Sequence, residues 1–158
     1  MHDSVQKLIH IEKLVKSKET NLKKSEASKI IAVSKTFSLD KIMPLINHGH
    51  YDYGENKVQE ALDKWTQIKA EKPELKLHLL GKLQTNKVKF AIKLFDFIHS
   101  VDSKKLAKKI YDEQSSQNKK VKLFIQVNIG NEEQKSGILK NDLDLSLIHI
   151  SEPTRLHC

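Results

Sequence analysis

Between residues 30 and 128, five short apolar runs are separated by four stretches with helical period. The runs at 30–34, 51–54, 76–80, 96–101 and 121–128 have strand length. The segments between them set apolar residues three and four apart, the spacing of an amphipathic helix. Val58, Ala61, Leu62, Trp65 and Ile68 form one such stripe, and Leu106, Ala107 and Ile110 another. Alternation of this kind with short loops predicts an α/β fold, a parallel sheet joined by right-handed crossovers. An open doubly wound sheet and the first part of a (β/α)8 barrel both satisfy it. Neither a Gly-x-Gly-x-x-Gly nor a Gly-x4-Gly-Lys-Ser/Thr string occurs, so nucleotide-binding open sheets lose support. A surface helix over residues 4–24 precedes the first strand. Ser38 is expected to cap a helix that closes at Gly49 with Pro44 inside it, and Asp102 or Ser103 to cap the helix after the fourth strand.

The first run ends in a lysine. Residues 30–36 read Ile-Ile-Ala-Val-Ser-Lys-Thr, the pattern of a strand buried on both faces. Alternation sets Ile31, Val33 and Lys35 on one face and Ile30, Ala32 and Ser34 on the other. A lysine on the last inward rung of a buried strand is desolvated, and desolvation favours the neutral amine that adds to carbonyls. The other reading of Lys35 is a side chain just past the strand, reaching into water. In a barrel, functional groups collect at the C-terminal ends of strands. Lys35, Glu55 and Asn56, Gly81 and Lys82, His99 and Ser100, and Gln126 to Asn128 all fall there.

Composition narrows the function. The 158 residues suffice for one domain with a core, and no apolar run approaches a membrane span. No targeting segment opens the chain, so a cytoplasmic location is expected and no membrane partner. A lone cysteine and the lack of any His-Glu-x-x-His string predict no metal. The net charge of +8 invites nucleic acid, yet of 28 Lys and Arg residues only Arg155 is an arginine. Arginine is the preferred reader of guanine, and the lysines are scattered along amphipathic helices, so no nucleic-acid partner is expected. Residues 146–158 carry the single Arg, the single Cys and two of the eight histidines. That string resembles translated sequencing-adapter read-through. Residues 1–145 are therefore read as a partial barrel domain and 146–158 as a non-native tail, with the natural protein expected to continue.

Several strings resemble the pyridoxal phosphate homeostasis proteins, which share the barrel of the alanine racemase N-terminal domain. They are Ala-Val-Ser-Lys-Thr at 32–36, Tyr-Gly-Glu-Asn at 53–56 with Val-Gln-Glu at 58–60, and Leu-His-Leu-Leu-Gly at 77–81 with Leu-Gln-Thr-Asn-Lys at 83–87. Ile-His-Ser-Val-Asp-Ser at 98–103, Gln-Val-Asn at 126–128 and Lys-Ser-Gly at 135–137 complete the set. The resemblance spans about residues 30–138 in order and spacing. It implies a TIM-type barrel of the alanine racemase N-terminal type, with about the first five βα units present. It implies pyridoxal 5′-phosphate (PLP) held as a Schiff base on Lys35. The implied role is intracellular PLP homeostasis, buffering or delivering the cofactor to PLP-dependent apoenzymes, with no catalytic residues; a monomer is expected.

Beside Lys35, two residues are candidates for binding cofactor. Asn56 follows a strand end, where its amide reaches a ring hydroxyl; its other reading is a helix N-cap, with Gln59 in the capping-box position. His78 lines the cavity beside the ring or is a satisfied core histidine. His99 and Ser100 are read as fixing loops, and Lys135 as a solvated loop lysine. Phe37 stands where the family often has a second lysine, Leu77 where it has an aromatic, and Lys82 where it has a histidine. In the family, three further strands supply the phosphate cup, which this fragment is expected to lack. The competing functions are an amino-acid racemase-like PLP enzyme, which needs a second base from another domain, and a basic nucleic-acid-binding module.

Overall fold

The computed structural model describes residues 1–22, 26–130, 132 and 134–139; the tail from Ser146 lies outside them. The chain opens with helix α1 (Asp3–Asn21), which buries Val5 and Leu8. There follow β1 (Ala32–Val33), α2 (Leu39–Asn47), β2 (Asp52–Glu55), α3 (Val58–Glu71) and β3 (Lys76–Leu79). A 3-10 turn at Thr85–Lys87 runs into α4 (Val88–Leu94), followed by β4 (Phe97–Val101), α5 (Lys104–Gln117) and β5 (Lys122–Ile125). The strands form one parallel sheet in the order β1-β2-β3-β4-β5. Each strand lies beside its predecessor, with no reversal of direction across the sheet. An open doubly wound sheet reverses at a switch point, so the order decides for the barrel. The chain folds as the first five βα-type units of one.

Register sorts the side chains. Val33 pairs with Gly54, Gly54 with His78, and His78 with Phe97. These residues share the concave face. The alternating residues Tyr53, Leu77, Leu79 and Ile98 are fully buried under the helices, against Trp65, Ala61, Val88, Ala91, Ile92 and Ile110. The concave face is covered unevenly, not throughout as the apolar runs suggested: Gly54 and His78 are buried there, while the edge strands are open. Val33 is 45% exposed and Phe124 49%, because both stand on the concave side.

Other expectations shift at element ends. β1 holds only two ladder residues, since the chain turns after Val33. The fifth strand breaks at Gln126, whose N–H donates to Val101 O while its carbonyl accepts from Ile138 N–H. That exchange starts a separate parallel pair, β6 (Val127–Asn128) with β7 (Ile138–Leu139). Ser38 precedes α2 as expected, but its hydroxyl caps no backbone amide. It bonds Asp40 instead and holds that carboxyl below its usual range. Pro44 is accommodated within α2, and Ser103 caps α5 by accepting from Leu106 N–H.

Candidate functional site

Lys35 stands past the end of β1, exposed, in a turn closed by a hydrogen bond from Phe37 N–H to Ser34 O (3.2 Å). The buried inward rung expected for it is not where it lies: the strand ends two residues earlier. Its amine makes no hydrogen bond or ion pair among the described residues. Thr36 beside it has φ 64°, a left-handed conformation that costs a β-branched residue on the order of 1–3 kcal/mol. Something outside the turn must hold it.

Beneath the turn lies a buried polar cluster. Ser34 is 4% exposed and Glu55, the last residue of β2, is fully buried. Glu55 Oε1 accepts from Ser34 Oγ (2.8 Å), Lys64 Nζ (2.9 Å) and Trp65 Nε1 (2.9 Å). Lys64 Nζ also donates to Ser34 O (2.8 Å), and Ser34 N–H to Gly54 O (2.9 Å). Sequence reasoning placed Glu55 at a strand end but missed its partners. The signal was a glutamate on the helix-facing phase of its strand, followed by a lysine beside Trp65 on the inner stripe of α3.

Asn56 stands two residues past Gly54, as Lys35 stands two residues past Val33, the ladder partner of Gly54. It is not the helix cap: Lys57 takes that position, without a side-chain cap bond. The cause is the crossing of two backbones. A Cβ on Gly81 would come within 2.1 Å of Asn56 O, so this carbonyl is packed against the end of β3 and the helix starts one residue later. The Asn56 amide has no hydrogen bond among the described residues. It opens on a cleft of about 350 Å3 lined with Lys57, Gln59, Lys82, Gln84 and Lys87. Such a rim favours an anion.

His78 lies deeper, in the middle of β3, and is 2% exposed. Its Nε2 bonds Asp52 Oδ1 (2.9 Å) and its Nδ1 bonds His99 Nε2 (3.0 Å). A carboxylate only accepts, so Nε2 of His78 carries its proton and Nδ1 accepts from His99. Phe97 stacks on His78 at 4.2 Å and Phe124 on His99 at 4.5 Å. Burial outweighs the Asp52 carboxylate and lowers the His78 pKa below its ordinary 6.5. Burial and the facing His78 do the same for His99. His99 is thus part of a cross-strand chain on the concave face rather than a loop anchor. Ser100 is buried toward the helices, and its hydroxyl has no partner among the described residues. Lys135 is exposed and paired with Glu132 (2.7 Å). Among the described residues no cluster suited to a metal ion forms, and no helix is long and apolar enough to cross a membrane.

The family model for the alanine racemase N-terminal domain matches residues 10–157. The pyridoxal phosphate homeostasis protein of Pasteurella multocida is 34% identical over 89% of this chain and 61% of its own length. That of Escherichia coli K12 is 31% identical over 99% of the chain and 68% of its own. Among solved structures, PipY of Synechococcus elongatus with PLP bound superimposes with a TM-score of 0.71 at 34% identity, over 87% of this chain and 64% of PipY. An alanine racemase of Clostridium difficile superimposes at 0.61 with 18% identity, a likeness of fold alone. The chain spans about three-fifths to two-thirds of the length of these curated relatives. The Lys35 turn, the barrel strand order and these matches together place the chain in the alanine racemase N-terminal domain family, among the pyridoxal phosphate homeostasis proteins.

Proposed function

We propose that this chain binds pyridoxal 5′-phosphate through Lys35 and serves intracellular cofactor homeostasis, holding PLP for delivery rather than for turnover. The observation that carries this is an exposed, unpaired lysine amine on a held turn, at the C-terminal end of a barrel strand. PLP, when bound, supplies an aldehyde that condenses with a primary amine. The residues present fit that group. Lys35 offers the amine past the end of β1, and past the ends of the next two strands Asn56 offers an uncommitted amide and Lys82 and Lys87 a cationic rim for an anionic ligand. His78 has both ring nitrogens engaged, so it shapes the wall beneath this mouth and has no free nitrogen to donate.

The proposal extends to a cytoplasmic, monomeric carrier whose recipients are PLP-dependent apoenzymes, without nucleic-acid or membrane partners. The PLP-bound PipY and the homeostasis proteins support the cofactor and the homeostasis role; the racemases share only fold. The test is borohydride trapping of the chain mixed with PLP, followed by peptide mapping. Label concentrated on Lys35, and absent at that peptide in Lys35→Ala, is the expected result. Label spread evenly over the surface lysines would overturn the proposal.

A further inference from the structure

We infer that Glu55 and Lys64 form a buried clamp that aims Lys35, so that helix α3 sets the reactivity of a lysine on the β1 turn. The inference rests on Lys35 being the attachment point proposed above. Ser34, the residue before Lys35, is held at every polar group it has. Its N–H donates to Gly54 O, its hydroxyl to Glu55 Oε1, and its carbonyl accepts from both Lys64 Nζ and Phe37 N–H. Those last two bonds occupy both lone pairs of the carbonyl. The same planar peptide carries the N–H and Cα of Lys35, and the Phe37 N–H bond back to this carbonyl limits rotation on the far side of that Cα, so the two together set the direction in which the Lys35 side chain leaves the backbone.

Two observations separate this arrangement from ordinary core packing. Three donors crowd Glu55 Oε1, while Oε2 has no partner among the described residues. A buried carboxylate is expected to have its oxygens satisfied, and a buried ion pair adds little to stability because desolvation offsets the attraction. What the pair does supply is direction: it ties α3 to the carbonyl at the root of the turn. The turn also needs an external hold. β1 contributes two ladder residues, and Thr36 sits in a left-handed conformation that its side chain disfavours. Trp65 provides the contrast, since it donates to the same Oε1 without touching the turn.

The test uses the full chain and PLP as the probe. The Lys35 nitrogen bonds the aldehyde carbon with loss of the carbonyl oxygen as water, and borohydride delivers hydride to that carbon. Label at Lys35 is scored against the lysines of α1, and hydrogen exchange of the Phe37 amide reads the turn independently of PLP. In Glu55→Gln/Lys64→Met, which removes both charges together, Lys35 label is expected to fall about tenfold with a parallel loss of Phe37 protection. Trp65→Phe lowers thermal stability and leaves both readouts unchanged. Ser34→Ala, which deletes one hydroxyl, lowers label about threefold and decides the matter if the double variant does not fold. Unchanged label and protection in a folded double variant or in Ser34→Ala would overturn the clamp, as would an equal loss in Trp65→Phe. An unsubstituted chain that shows no preference for Lys35 instead overturns the attachment reading, and Phe37 exchange still reports on the clamp.

Discussion

Thr36 and Asn118 are the non-glycine residues with positive φ among those described. Asn118 (φ 49°) ends α5 in a left-handed cap, a conformation asparagine tolerates. Thr36 has no such excuse, and its strain is placed beside the lysine that carries the proposed function. Thr36→Gly is therefore expected to raise stability by roughly 1 kcal/mol, read as a shift in denaturant midpoint, while Thr36→Ala stays near neutral. Gly81 is the opposite case. An added Cβ would meet Asn56 O at 2.1 Å and Asn56 Cα at 2.9 Å, backbone atoms that cannot swing away. Gly81→Ala should cost about 1–3 kcal/mol in chemical unfolding, as overpacking does. The motif strings exposed Lys35, Asn56 and Gly81 in the sequence. They did not show that Lys35 lies outside its strand or that Asn56 yields the cap to Lys57, because both follow from where two backbones cross.

At the scale of elements, β2, β3 and β4 are joined across the concave face by Asp52, His78 and His99. Both histidines titrate below their ordinary value in the fold, so the unfolded chain takes up protons first as the pH falls. Their contribution is full above about pH 6.5 and declines as the pH drops below it. A second proton would also place two N–H groups head to head between the rings. The expected result is a melting temperature that falls on acidification below that pH, with a flatter acid limb in His99→Phe. Lys69 adds a second cross-element tie, reaching from α3 to Asp96 and Leu94 O ahead of β4. Strand and helix positions were legible from period alone to within about three residues, although the break at Gln126 that splits the fifth run was not. Pairing of single polar side chains between strands was not, because register is a relation between segments and no segment states it.

For the whole molecule, one core runs from Ile42 on α2 to Ile138 on β7, between the sheet and its helices. A single core predicts a single transition. Trp65, the sole tryptophan and fully buried, reports on it. Its fluorescence and the far-ultraviolet dichroism should lose their native values at one denaturant midpoint. Ile98→Ala, at a fully buried position, should move both together by about 2–5 kcal/mol. Transitions that separate would show that the β4–β5 side unfolds apart from the rest. The α1 helix, anchored by Val5 and Leu8 outside that core, is the element expected to exchange first.

The sequence by itself determined the alternation of strand and helix, the parallel sheet, the family and the lysine at the end of the first run. Those depend on local periodicity and on short strings, which a chain carries whether or not it is folded. Tertiary structure alone decided which face of each strand is covered. It also made Glu55 and Lys64 partners of the Lys35 turn, and linked two histidines 21 residues apart. The apolar runs could not distinguish one covered face from two, since apolar side chains satisfy both. The polar clusters had to wait for the fold because buried charge is tolerated only where partners converge, and convergence is fixed by strand register and helix packing.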